Sequence, residues 1–385
     1  MEPGLLIRLL SPQVAYSGRV LSMLSIVVPV HNGGRQLASC LQALQASSYH
    51  DFEVLVVDDC STDGTPAVIH SHGAGYLRTA GRLGPAGARN LGAMAARGSI
   101  LVFVDADVQV PPGALAIIAE DFERDPQLQA VFGSYDQEPS APGFFSHYKN
   151  LFHHYIHQTS SENAATFWAG CGAIRREVFE KLGGFQAERY ARPAIEDIEL
   201  GLRLVRDGHK ILLDKRLQVK HLKQWTLLGM IKSDVRDRAV PWAKLILELG
   251  EMPRDLNLTY SARFSVAGTL LLLPLILLLL RSGQSAQGLI MLRSSVLVLA
   301  LLLLALNYRV YRFFWKQRGL AFAVAAVLTH WLYYFYSGLT WAYCYTAHLG
   351  AALRTPPLAP AAIPRLQADG KPKRSAAAVT GADTD

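Results

Sequence analysis

From Leu24 onward the chain alternates short, wholly apolar runs with stretches in which apolar residues recur every third or fourth position. LSIVVPV at Leu24–Val30 reads as a buried strand, and after the turn His31-Asn32-Gly33-Gly34 the stripe Leu37, Leu41, Leu44 predicts a helix. FEVLVV, residues 52–57, is the second strand; Asp63-Gly64 then turns the chain, Thr65 is placed to cap a helix and Pro66 suits its first turn. A poorer strand over 75–80 precedes a small-residue helix over 85–97, and ILVFV at Ile100–Val104 is the fourth strand. Strands that are apolar throughout are covered on both faces. Interleaved with helices, they predict an α/β domain with a mainly parallel sheet over residues 24–222.

Past residue 260 the period disappears and long apolar runs replace it. Residues 264–280 carry no charge, span about 26 Å as a helix, and are flanked by Arg263 and Arg281. Residues 288–306 form a second run whose only charge is Arg293. Residues 319–347 form a third without Lys, Arg, Asp or Glu, in which Trp331, Tyr333, Tyr334, Tyr336 and Trp341 fit a tilted or interface-anchored span. About three transmembrane helices within 261–350 are predicted. Arg309, Arg312, Lys316 and Arg318 mark the connection between the second and third as a cytoplasmic loop, which puts the α/β domain on the cytoplasmic side. Residues 223–260 set Trp225, Leu227, Met230, Ile231, Leu245 and Leu247 among Lys223, Lys232, Arg236, Arg238 and Lys244, an amphipathic pattern suited to an anionic membrane surface. The N-terminal extension, 1–23, is broken by Arg8, Pro12 and Arg19 and lacks a signal-peptide core; the Pro/Ala-rich tail, 351–385, is expected to be disordered.

Composition agrees with a split molecule. Half the residues are hydrophobic and 18% are charged, below the soluble norm of about 25%. Through residue 260 there are 26 Lys+Arg against 28 Asp+Glu; the rest holds 12 against 3, so the net +7 belongs to the C-terminal third. Within 210–260, 10 basic residues face 6 acidic ones, which places positive charge beside the membrane and not on a nucleic-acid-binding face. Cys40, Cys60, Cys171 and Cys344 are scattered singly and form neither a disulfide framework nor a zinc motif. His153 and His157 share a helix face, yet no third ligand follows, and a solvated helix is the expectation.

In parallel sheets ligands sit beyond the carboxyl ends of the strands, and the polar clusters fall there: His31-Asn32, Asp58-Asp59, and Asp105 with Asp107. No GxGxxG follows the first strand, which argues against dinucleotide binding. Asp105 and Asp107 lie two apart at a strand end, so alternation aims both carboxylates one way and Ala106 the other. Two hard oxygen donors suit Mg²⁺ or Mn²⁺ completed by substrate phosphates.

Three blocks in this order and spacing, SIVVPVHN over 25–32, VVDDCSTDGT over 56–65 and FVDAD over 103–107, resemble glycosyltransferase family 2, in its membrane-anchored bacterial type with the GT-A (nucleotide-diphospho-sugar transferase, Rossmann-like) fold. GARNLG over 87–92, WAGCGAIRREVFEKLGGF over 168–185 and IEDIELGLRL over 195–204 add to the likeness, which covers about residues 24–222. The resemblance implies a UDP- or GDP-sugar held by Pro29, His31, Asn32, Asp58 or Asp59, Arg89 and Asp105. It implies Mg²⁺ or Mn²⁺ on Asp105 and Asp107. Glu196 and Asp197 are similar to the family's catalytic pair, with Asp197 as base and inversion at the anomeric carbon. Both also fall in a first helical turn, where the dipole favours acidic residues whatever their function and depresses their pKa. Trp168, Gly170, Cys171 and Gly172 lie on the implied acceptor side. Arg238 and Trp242 resemble the QxxRW block of processive synthases, but Arg and Trp are not adjacent and the Gln is missing, which argues against a polymerising enzyme. The expected reaction moves one sugar to a lipid or polyprenyl-phosphate acceptor at the cytoplasmic face of an inner membrane. A nucleotidyltransferase and a catalytically idle nucleotide-sugar-binding scaffold are the competing classes.

Overall fold

The computed structural model describes residues 23–250, 259–281 and 285–354. The expected extension and tail lie almost wholly outside these residues. The chain divides into a unit of Met1–Tyr345 and one of Thr346–Asp385, whose described residues are helical.

The strands are β1 Leu24–Val30, β2 Phe52–Asp58, β3 Gly75–Arg78, β4 Ile100–Val104, β5 Val108–Gln109, β6 Leu128–Tyr135, β7 Cys171–Arg175 and β8 Lys210–His221. They form one sheet in the order β3-β2-β1-β4-β7-β6-β8-β5. The first four are mutually parallel, as expected for apolar runs separated by helices. β7 enters antiparallel between β4 and β6, and β6 pairs parallel with β8. Ile26, Val28, Leu101, Val102, Phe103, Phe132 and Ile174 are wholly buried, because helices cover both faces.

Those helices are α1 Gly34–Gln45, α2 Thr65–Ser71, α3 Gly84–Ala95, α4 Ala114–Arg124, α5 Phe144–Thr159, α6 Arg176–Lys181 and α7 Glu196–Arg206. Thr65 lies inside α2 and does not cap it; Asp63 does so, accepting from the Thr65 N–H at 3.0 Å. The segment expected to lie on a membrane is one rod: α8 Leu227–Lys232, a π-helical stretch Ser233–Ala239, and α9 Val240–Leu249. Part of its apolar face is buried in the protein instead. Met230 packs with Tyr148 and Leu151 of α5, and Leu245 with Tyr190 and Ile195, while Leu228 remains exposed.

Among the described residues three helices are long and apolar enough to cross a membrane: α10 Tyr260–Leu279, α11 Ala286–Leu306 and the span Tyr308–Ala351 within α12 Tyr308–Arg354. Glycine permits their close approach: a Cβ on Gly268 would lie 2.9 Å from Leu303, and one on Gly338 2.8 Å from Leu270 and Val266. Asn307 donates to Ser265 Oγ at 2.8 Å and accepts from the Tyr334 hydroxyl at 2.8 Å, so one amide ties all three helices. The basic connection expected to be a loop is helical. Residues 308–318 form the first arm of α12, broken at Gly319 with φ 83°. Val310, Tyr311 and Phe314 of that arm bury themselves against Tyr148 and Leu151, which turns an expected linker into the joint between apolar helices and α/β domain.

Candidate active site

The carboxyl ends of β1, β2, β4 and β6 and the start of α7 open on one cavity of about 510 Å³. Of the residues singled out from sequence, Pro29, His31, Asn32, Asp59, Arg89, Asp105, Asp107, Trp168, Glu196, Asp197 and Arg238 line it. Asp58, Gly170, Cys171, Gly172 and Trp242 do not.

The β1 loop is held in a strained shape. Asn32 has φ 51°, a left-handed conformation that asparagine tolerates better than most side chains. It is fixed by its own N–H on Ser61 Oγ at 2.9 Å and by the Thr62 N–H on its Oδ1 at 2.8 Å, and so tied to the β2 loop. In that loop neighbours diverge. Asp58, the last residue of β2, is fully buried and accepts from the Ser61 N–H at 2.8 Å and the Tyr76 hydroxyl at 3.1 Å; alternation turns it away from the cavity. Asp59 faces the cavity and accepts from the N–H groups of Leu83 at 2.8 Å and Gly84 at 2.9 Å, with Arg82 at 3.3 Å.

Asp105 and Asp107 reach the cavity by a turn and not by strand alternation. The Val108 N–H closes on the Asp105 carbonyl at 3.0 Å, and Ala106 lines the cavity as well. Arg89, buried in α3, donates to Asp105 Oδ1 at 2.7 Å and Glu196 Oε1 at 2.8 Å, joining the β4 turn to α7. Burial raises the Asp105 pKa against the opposing charge of Arg89. Burial also acts to raise Asp107, but the hydrogen bond and charge of His221, then Lys223, outweigh it and hold the group below its usual value. His221 Nε2 lies 3.6 Å from Asp107 Oδ2. Two carboxylates and an imidazole on one wall fit Mg²⁺ or Mn²⁺. Among the described residues no group of three His, Cys, Asp or Glu side chains is gathered as a metal site.

Glu196 and Asp197 part company. Glu196 is buried and occupied, by Arg89 on one oxygen and the Ala194 N–H at 2.9 Å on the other, so it stands as a structural anchor within the expected catalytic pair. Asp197 is half-buried on the cavity wall, accepting from the Ala169 N–H at 3.0 Å. Burial, then the Glu196 charge, pushes its pKa up to about 6, against the Ala169 hydrogen bond, Arg89 and Arg238. The dipole effect expected from its helical position is overcome.

Trp168 forms a platform with Tyr135 and His221: the Tyr135 ring stands edge-on to Trp168 at 4.9 Å and stacks on His221 at 4.2 Å. Gly170 and Gly172 serve this packing. A Cβ on Gly170 would lie 2.4 Å from the Trp168 ring, and one on Gly172 2.4 Å from the Trp168 carbonyl. The three α5 histidines are buried or half-buried under the platform, contrary to the expected solvated helix. His154 and His157 bond to the Tyr135 and Gly133 carbonyls at 2.7 and 2.9 Å, and burial pushes His157 down to about 4. Arg238 and Trp242, four apart, do not share the cavity, because the π-helical stretch rephases the rod; Trp242 packs beside Leu245 and Ile195.

Tyr135, Lys149 and His221 line the cavity without having been singled out, as do Lys223 and Trp225, which were expected at a membrane surface. Tyr135 and His221 end β6 and β8, so the strand-end rule applied to later strands identifies them.

A parallel half joined through an antiparallel strand to a second half, with aspartates at the strand ends, defines a GT-A fold. Residues 25–183 match the family model described as Glycosyl transferase family 2, and this part of the chain is a family 2 glycosyltransferase domain. An uncharacterized glycosyltransferase of Haemophilus influenzae is 28% identical over 48% of this chain and 63% of its own length. Glycosyltransferase GlyG of Streptococcus pneumoniae is 26% identical over 33% and 43%. The match thus spans less than two thirds of these relatives. A solved mannosyltransferase, PcManGT from Pyrobaculum calidifontis in complex with GDP-Man and Mn²⁺, is 18% identical with a TM-score of 0.43 over 86% of each chain.

Proposed function

We propose that the protein transfers one sugar, with inversion, from a UDP- or GDP-sugar to a hydroxyl of a membrane-associated lipid acceptor at the cytoplasmic face. The observation that carries this reading is that Asp59, Asp105 with Asp107, and Asp197, from three separate segments, line one cavity. Pro29, His31, Asn32 and Asp59 form the end that takes the nucleoside, and Trp168 with Tyr135 gives the sugar an apolar face. Asp105 and Asp107, with His221 behind Asp107, hold the Mg²⁺ or Mn²⁺, which when bound neutralises charge developing on the leaving diphosphate. Asp197, on the far side of the platform, takes the proton as the acceptor oxygen attacks the anomeric carbon. Arg89 and Glu196 keep Asp105 and Asp197 in register.

The test offers UDP- and GDP-sugars to membranes containing the protein and assays both products. Release of nucleoside diphosphate with sugar found in the lipid fraction is expected; release of pyrophosphate identifies a nucleotidyltransferase, and donor binding without turnover an idle scaffold. Asp107→Ala should weaken Mn²⁺ binding by calorimetry and lower transfer about 100-fold or more. Full transfer by this variant with EDTA present would remove the metal from the scheme.

A further inference from the structure

Three cations gather on the cavity wall built from α5, the chain after β8 and the π-helical stretch, where Asp237 also lines the cavity. Lys149 comes from α5, Lys223 from the chain after β8 and Arg238 from the π-helical stretch, and all three line the cavity. Lys149 is tied to the buried Asp234. Neither Lys223 nor Arg238 has a carboxylate within salt-bridge distance among the described residues; Lys223 instead lies 4.4 Å over the Trp225 ring. The three are near neighbours: besides burial, the charges of Arg238 and Lys223 lower the Lys149 pKa. Like charges are gathered on one wall at an electrostatic cost, which a bound anion removes.

This wall is also the part of the cavity built onto the apolar helices. The Tyr336 hydroxyl of α12 donates to Asp234 Oδ2 at 2.7 Å, so a residue of the third span holds the partner of Lys149. Trp225 packs in the same apolar cluster as Phe314 and Phe322 of α12. Arg238 and Asp197 line the same cavity, and the Arg238 charge lowers the Asp197 pKa.

We propose that Lys149, Lys223 and Arg238 seat a phosphate-class anion of the lipid acceptor, beside the hydroxyl that receives the sugar. This rests on the glycosyltransferase reading and names its acceptor class: a lipid carrying both a phosphate and a nearby free hydroxyl. The hydroxyl oxygen forms the bond to the anomeric carbon, its proton passes to Asp197, and the electrons of the broken C–O bond leave with the nucleoside diphosphate. The anion itself is unchanged.

The detergent-solubilised full chain is titrated with short-chain phosphatidylglycerol, with the matching diacylglycerol, with glycerol 3-phosphate, and separately with UDP and GDP plus Mn²⁺. Phosphatidylglycerol should bind at least tenfold more tightly than diacylglycerol. The double variant K223Q/R238Q should abolish that difference, and K316Q/R318Q, on the first arm of α12, should keep it. Equal binding of the two lipids by the unaltered protein overturns the proposal. So does a K223Q/R238Q variant that loses nucleoside diphosphate and keeps phosphatidylglycerol, which assigns the cations to the donor. Glycerol 3-phosphate binding as tightly as the lipid retains the anion chemistry but overturns its lipid source. If the unaltered protein binds neither UDP nor GDP, it is the glycosyltransferase reading that fails.

Discussion

Two adjacent acidic residues at the start of α7 end in different chemical states, and the difference is made by what faces each. Glu196 meets a buried guanidinium and a backbone N–H. Asp197 meets Glu196 itself, the N–H groups of Ala169 and Ile198 and two more distant cations, and burial pushes its pKa up to about 6. As a base it must be ionised, so transfer should rise about tenfold per pH unit below 6 and level off above it. Asp197→Asn should flatten that limb and lower transfer about 100- to 10,000-fold. The same shift has a consequence for stability. A carboxylate whose folded pKa lies above its unfolded value of 3.8 favours the fold while protonated, and that contribution is lost as pH rises from about 4 through about 6. The asparagine variant should therefore melt higher than the native protein at pH 8, and the gap should close at pH 4.5. A lower melting temperature at pH 8 would contradict the burial argument. Sequence position alone indicates the opposite sign, since a helix N-terminus lowers a carboxylate pKa; burial by segments remote in the chain wins over it and over the lowering effects of the Ala169 N–H, Arg89 and Arg238.

At the scale of elements, what was legible was what local physics decides. Three apolar runs, at 24–30, 52–57 and 100–104, had to be strands covered by the fold, and polar residues just beyond them had to gather at one edge of a parallel sheet. Which of two neighbours faces that edge was not legible: Asp58 and Asp59 are distinguished only by the pairing of β2 with β1 and β3. Nor was the helical arm 308–318, whose apolar residues find their partners on α5, more than 150 residues earlier. The antiparallel insertion of β7 also depends on such distant pairing, and it is what carries Trp168 to the cavity. A tight crossing makes one element testable alone. Gly84 begins α3 at φ 72°, its N–H bonds to Asp59, and a Cβ there would lie 2.3 Å from the Ala191 carbonyl oxygen. Gly84→Ala should cost about 1–3 kcal/mol in thermal or denaturant unfolding and weaken nucleoside diphosphate binding, because the strain falls on the loop that positions Asp59. Gly113→Ala, where a Cβ meets nothing within 4 Å, is the control and should be close to neutral.

For the whole molecule the question is which side of a bilayer the cavity faces. α10 and α11 have 20 and 21 residues, each about 30 Å long, the thickness of a hydrocarbon core. Their domain-side ends are joined by the Asn307–Ser265 hydrogen bond, next to the basic arm that packs on α5, so in a bilayer-spanning arrangement their other ends, near Arg281, would lie on the far side. Nucleotide-sugars are polar and charged, and an enzyme using a cytosolic donor must keep the cavity, the basic arm and the cationic wall on the inner side, where positive residues are retained. Cysteine labelling separates the alternatives. Cys40, Cys171 and Cys344 are buried, so replacing Cys60 with serine leaves little reactive background. Arg281→Cys should then react with an impermeant maleimide in intact cells, and Lys316→Cys only after permeabilisation. The reverse pattern would put the domain outside and deny it cytosolic nucleotide-sugar; reaction of both in intact cells would mean that α10 and α11 form a hairpin that does not cross.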